Sequence, residues 1–250
     1  FTSAYSEGLF LALATGSFLA GMRGRSWLAG VLGGLAAATR IMGLALAPAL
    51  VVLLWQRRRS WRDFVPVLLV PAGVGAYALY LQHRFGDALA FVHAQGSTDW
   101  NRETPALGPL DGLWQATSAA WHGALELLRH LPRAQNYPAG YSNTDMWATW
   151  NVVQFALLVA AIWLTWVAWR RLGPGFGLYS AGVLAIVLAA PAQLSPLVSF
   201  PRFLLADFPL FIALAALLRR RPRLRTAVLA LFATAGAMAA VAFSRKVWVS

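Results

Sequence analysis

The chain has 250 residues, of which 59% are hydrophobic and only 12% charged, with 12 Trp and no Cys. Soluble domains carry roughly 25% charged residues and about 45–50% apolar ones, so this composition cannot cover a water-soluble globule and predicts an integral membrane protein. The lack of Cys excludes disulfides and Cys-built metal sites. A net charge of +12 would suit nucleic acid only if the basic residues lined a solvated face. They cluster between apolar segments instead, which points to membrane topology and to no nucleic-acid partner.

Phe1–Glu7 has neither a starting Met nor the basic start of a signal peptide. It reads as part of a longer protein whose upstream spans and first outer loop precede it. A membrane helix needs about 20 apolar residues. Runs of that kind fall at Gly8–Met22, Trp27–Trp55, Phe64–Gln82, Trp147–Trp169, Leu178–Ala192, Phe203–Leu218 and Thr226–Phe243. The second run would make a helix of about 43 Å, too long for a hydrocarbon core of roughly 30 Å, and it carries Arg40 near its middle.

Arg23 and Arg25 precede that run, and Arg57, Arg58, Arg59 and Arg62 follow it. Cytoplasmic placement of both clusters makes the run go out and come back, as arms Trp27–Ala38 and Ile41–Trp55 with Thr39–Arg40 at the turn. An arm of twelve residues rises only about 18 Å, so the turn lies below the outer surface. Irregular backbone at that depth requires protein or a wet cavity around it, and Arg40 is expected to face a cavity. Thirteen basic residues and one acid, Asp63, then fall on the inner side, and eight basic and eight acidic residues on the outer side. The whole excess of positive charge sits on one face.

The expected architecture is all-α: a single polytopic membrane domain over 1–250 with about eight transmembrane segments, two of them forming the short hairpin. Residues 83–146 form the outer loop, in which Leu110–Leu131 reads as an amphipathic helix on the membrane interface. The cavity faces the extracytoplasmic side of a plasma membrane.

Ionisable residues within a membrane domain are functional candidates. Glu7, Arg40, Arg202 and Asp207 all open to the outer face under this topology. Glu7 follows Tyr5–Ser6 at a helix start, where it either complements the helix dipole or accepts hydrogen bonds from a polar substrate. Arg40 either pairs with a carboxylate or binds phosphate, whose oxygens its fork matches. Arg202 and Asp207 are poorly spaced to pair with each other; Arg202 would otherwise snorkel to the interface. Phe91, His93 and Gln95, then Trp100, Asn101, Arg102 and Glu103, combine aromatic faces with groups that suit sugar hydroxyls, or form an ordinary interfacial segment. His83, His93, His122 and His130 show no metal-binding spacing, and no cofactor is evident; a divalent metal has no support in the residues.

Several stretches together resemble the PIG-V-type mannosyltransferases, bacterial relatives of the enzyme that adds the second mannose of GPI anchors. They are Phe1-Thr2-Ser3-Ala4-Tyr5-Ser6-Glu7-Gly8-Leu9-Phe10, Leu35-Ala36-Ala37-Ala38-Thr39-Arg40, Phe91…Gln95…Trp100…Arg102 and Pro201-Arg202-Phe203. The likeness covers about residues 1–105 and 196–210; Ile41-Met42 after Arg40 is more apolar than the family pattern.

The resemblance implies a GT-C glycosyltransferase using a polyprenyl-phosphate sugar, mannose, as donor and a glycan or glycolipid as acceptor on the outer face, with inversion at the anomeric carbon. It implies Tyr5, Glu7, Arg40, Gln95, Trp100, Arg102 and Arg202 as substrate-binding residues, and Asp207 is expected to join them as an ionisable residue inside a span. The family's base is an acidic residue in a first outer loop upstream of Tyr5, so no catalytic base is assigned here. The competing reading is a transporter or flippase of a lipid-linked or anionic solute, which would place its site near the midplane on broken helices; a multi-pass scaffold is the third.

Overall fold

The computed structural model describes residues 6–57, 60–96, 102, 104–129, 144–193 and 195–244. Among them every regular element is a helix: α1 (Glu7–Met22), α2 (Ser26–Thr39), α3 (Leu46–Gln56), α4 (Leu69–Phe85), α5 (Ala90–His93), α6 (Pro109–Arg129), α7 (Thr144–Arg171), α8 (Pro174–Leu188), α9 (Phe200–Leu205), α10 (Phe208–Leu218) and α11 (Pro222–Ser244). Short 3₁₀ helices at Ile41–Ala45 and Trp61–Leu68 lead into α3 and α4. Pro48 follows the first, Pro66 lies inside the second and Pro71 follows it, and each lacks an N–H that a continuous α-helix would use.

The long apolar run does fold back. At its turn Arg40 takes an extended conformation, φ −152° and ψ 136°. α1 and α2 are antiparallel: Ser17 Oγ donates to the Ala29 carbonyl at 2.7 Å, and Gly16 lies against Leu32. Gly30 meets Pro66, Gly33 meets Val70, and Gly34 meets Leu69 and Gly73, so α2 runs parallel to the segment of α4. α3 must therefore return antiparallel to both, on the side of α1 and α8. Leu50 and Leu53 reach Gly21, beside the start of α2, and Ser26 Oγ lies 3.2 Å from Asp63 Oδ1. Trp27 and Trp55 thus emerge at the same end, both well exposed.

The α2–α4 contact depends on absent side chains. A Cβ on Gly34 would stand 2.5 Å from the Leu69 carbonyl oxygen, and one on Gly73 would stand even closer to the Gly34 carbonyl. Small residues let helix backbones approach this closely. The core beside them holds Phe10, Phe18, Leu46, Leu50, Tyr179 and Phe200, all essentially buried. Rings of Phe18, Phe176, Tyr179 and Phe208 pack with centroids 4.6–6.5 Å apart.

Among the described residues two helical stretches, Trp61–Phe85 and Trp147–Arg171, are long and apolar enough to cross a membrane, and five other apolar helices have 10–17 residues. Several expected boundaries need correction. The run Leu178–Ala192 is helical only within Pro174–Leu188, and Ala189–Ala192 belongs to a loop. The run Phe203–Leu218 is not one helix. It breaks at Ala206–Asp207 because Pro209 cannot donate to the Leu205 carbonyl, which ends α9 and starts α10 afresh.

The expected amphipathic helix is α6. Gly112, Ala116, Ala120 and Gly123 form its buried stripe, set against Leu188 at the end of α8 and Ala148 near the start of α7. Leu110, Trp114, Trp121 and Leu128 form a second, exposed stripe.

Replacing Gly73 by Ala should force α2 and α4 apart and cost about 1–3 kcal/mol, the usual penalty of overpacking. Gly75→Ala, where nothing lies within 4 Å, should be neutral or gain up to about 1 kcal/mol of helix propensity. Thermal melting of the two variants in detergent checks the contrast.

Candidate functional site

Glu7 stands in the first turn of α1, where a carboxylate complements the helix dipole. Its Oε1 is 2.5 Å from Arg40 Nη1 and 3.1 Å from Arg202 Nε. One carboxylate therefore joins the start of α1, the turn of the hairpin and the short helix α9. The three side chains are half-buried at 19%, 12% and 26% exposure for Glu7, Arg40 and Arg202, which strengthens the attraction relative to a solvated surface pair.

Arg102 completes the group from the segment between α5 and α6. Its backbone N–H donates to the Gln95 carbonyl at 2.9 Å, and it pairs by a single antiparallel bridge with Ala192. Its guanidinium donates to the carbonyls of Ala190 (2.6 Å) and Val198 (3.1 Å). Burial first, and then the charge of Arg202, pull the Arg102 guanidinium below its ordinary pKa range.

All three guanidiniums gather around one ring. The Phe203 centroid lies 5.8 Å from Arg40 Cζ, 5.6 Å from Arg102 Cζ and 5.7 Å from Arg202 Cζ. The ring quadrupole attracts each cation and holds them near one another despite their repulsion.

The loop that receives Arg102 is itself anchored. Ser195 Oγ donates to Asn151 Oδ1 at 2.7 Å. The Gln154 amide nitrogen, oriented by its hydrogen-bond network, donates to the Leu197 carbonyl at 2.7 Å, while its oxygen accepts from Trp150 Nε1. Asn151, Gln154 and Ser195 are all buried. At the end of the loop Ser199 has φ 65°, the one non-glycine residue with positive φ among the described residues. Such a conformation costs roughly 1–3 kcal/mol and turns the chain sharply between the Val198 carbonyl and α9.

Of the residues expected at the site, Glu7, Arg40, Arg102 and Arg202 come together. Gln95 joins through its backbone carbonyl only, and the residue is exposed. Tyr5 and Trp100 lie outside the described residues. Asp207 does not open onto the group: it is fully buried at the break before α10 and accepts from Ser180 Oγ at 2.6 Å. Arg202 and Asp207 thus have different partners. His93 Nδ1 lies 2.7 Å from Asp87 Oδ2 on the exposed outer segment, and the hydrogen bond from His93 holds the Asp87 carboxyl below its usual range.

Sequence reasoning missed the central ring and the anchors. Phe203 was visible only as part of Pro201-Arg202-Phe203. Asn151 and Gln154 stand three apart within an apolar run, a spacing that places two amides on one helix face.

Chemically, the group is a partly dehydrated cluster of three cations with one carboxylate, suited to an anion with several oxygens. The chain matches no family model, no curated protein and no solved structure.

Glu7→Gln leaves Arg40 and Arg202 without their shared counter-charge. It should cost about 1–3 kcal/mol, below the 3–5 kcal/mol of a fully buried broken pair, because the Arg40 and Arg202 side chains each keep some exposure. Added phosphate should restore more thermal stability to this variant than to the parent, a difference readable by thermal shift.

Proposed function

We propose that the chain is a polytopic, GT-C-like membrane glycosyltransferase that moves a sugar, mannose, from a polyprenyl-phosphate donor to a glycan or glycolipid acceptor. The reaction takes place on the extracytoplasmic face of a bacterial plasma membrane. The observation that carries this reading is the convergence of Arg40, Arg102 and Arg202 on Phe203 around the single carboxylate of Glu7. The membrane setting is supported by the exposure of large apolar side chains such as Leu9, Val31, Leu79, Val159 and Ile162 along the helices, and by the basic clusters that follow α1, α3 and α10 and close α7.

In such a transfer the acceptor hydroxyl attacks the anomeric carbon, a base takes its proton, and the bond from that carbon to the phosphate oxygen breaks. Negative charge grows on the departing phosphate. Preorganised guanidiniums at that place stabilise the transition state more than the ground state. Glu7 is a poor base in this scheme, since two guanidiniums hold it as a carboxylate. The base is expected on another segment, and Glu7 sets the geometry of the arginines.

One observation favours the second reading, transport of a lipid-linked or anionic solute. The α9–α10 break buries Asp207 at the N-terminus of α10, and α10 has 11 residues before Arg219. A helix of that length spans about 16 Å, which sets the break near half the depth of a roughly 30 Å core, where transporters place ion sites on broken helices.

Full-length protein carrying Arg40→Ala should fold yet transfer mannose from polyprenyl-phosphate mannose at least about 100-fold more slowly, the usual loss of one such donor. Turnover in reconstituted vesicles measures this, and unchanged turnover removes Arg40 from the mechanism. Solute uptake without transfer to any acceptor would establish the transport reading instead.

A further inference from the structure

Arg40, Arg102, Arg202 and Glu7 meet at Phe203. Guanidiniums stay protonated at all ordinary pH values. Among the described residues these four side chains carry, with Glu7 ionised, three positive charges and one negative. Arg102 is tied to the Ala190 and Val198 carbonyls, which hold it in the loop rather than on Glu7. The excess is therefore built into the backbone arrangement. The depressed Arg102 pKa, caused by burial and by Arg202, is the electrostatic cost that a bound anion would relieve.

Phosphate chemistry offers two charge states. A sugar joined through phosphate to a lipid is a phosphodiester with one negative charge. When the bond to the anomeric carbon breaks, its electron pair stays on the phosphate oxygen, and the acceptor's proton passes to the base. The lipid phosphate that leaves is a monoester, with a second pKa near 6 and almost two negative charges above neutrality.

We infer that this cluster binds the doubly charged phosphomonoester head in preference to the singly charged phosphodiester. It then favours the departing group over the bound donor, and the lipid phosphate product acts as a competitive inhibitor. The inference rests on the phosphate reading given under the proposed function, but it makes a separate claim about charge state.

The test uses the full-length protein in detergent micelles, with dodecyl phosphate and methyl dodecyl phosphate as probes of equal chain length. Binding is followed by intrinsic tryptophan fluorescence and calorimetry at pH 8 and pH 5. The monoester should bind about tenfold tighter at pH 8, the equivalent of one modest charge–charge contribution. The preference should fall toward equality at pH 5, where the monoester takes up its second proton. The charged side chains around the site, Glu7, Arg40, Arg102 and Arg202, are the same for both probes, so the change of the ratio with pH reports the second proton of the monoester itself.

Arg40→Gln should narrow the ratio; a ratio unchanged in that variant overturns the assignment of the preference to this cluster. Equal affinities at pH 8 in the parent protein overturn the inference and leave the phosphate reading standing, whereas binding of neither probe removes both. Inorganic phosphate serves as a third probe. If it binds as tightly as dodecyl phosphate, the charge preference holds and the lipid source is overturned.

Discussion

A single carboxylate between two guanidiniums fixes how three distant parts of this chain meet. Glu7 lies at the start of α1, Arg40 at the turn between α2 and α3, and Arg202 in α9. Bringing the arginines near Arg102 against one ring is unfavourable unless charge and dehydration are offset. Glu7 offsets the first, and the Phe203 quadrupole and the loop carbonyls offset part of the second. Charge, ring and carbonyls come from separate segments, so the arrangement exists only once the helices are packed.

Packing supplies that condition through small residues. Gly30, Gly33 and Gly34 on α2 accept the backbone of the segment Pro66–Gly73 at contact distance, which leaves α3 to return along the other side. Arg40 is consequently carried to the far end of a short hairpin rather than left in the middle of one long helix. On the opposite side of the site, the Asn151–Gln154 pair on α7 pins the loop whose carbonyls receive Arg102. Two unrelated devices, a glycine seam and a pair of buried amides, set the cations from opposite directions.

The proposed chemistry follows from position as well as charge. The cationic group gathers at the turn end of the hairpin, whereas Asp207 is buried at the α9–α10 break with Ser180 as its partner. The two features are distinct in burial and in partners, and Phe203 and Ala206 separate them along the chain. The reading rests on the cluster together with the family resemblance of the stretches that supply it.

Composition and spacing alone determined the all-helical class, the hairpin at Thr39–Arg40, the amphipathic α6 and three members of the cluster, Glu7, Arg40 and Arg202; Arg102 stood out only within the aromatic and polar stretch around Trp100. Each of these depends on local or one-dimensional information: apolar run length, the position of a lone charge within it, and helical periodicity. Which residues touch was decided by the tertiary structure. Phe203 looks like any aromatic in an apolar run until three arginines surround it, and Asn151 and Gln154 become anchors only when Ser195 and Leu197 are laid across them. The break at Asp207 was hidden because hydropathy ignores the missing N–H of Pro209. Burial of that aspartate among Ser180, Tyr179 and Phe208 depends on how α8 and α10 pack, a long-range contact that no window along the chain contains.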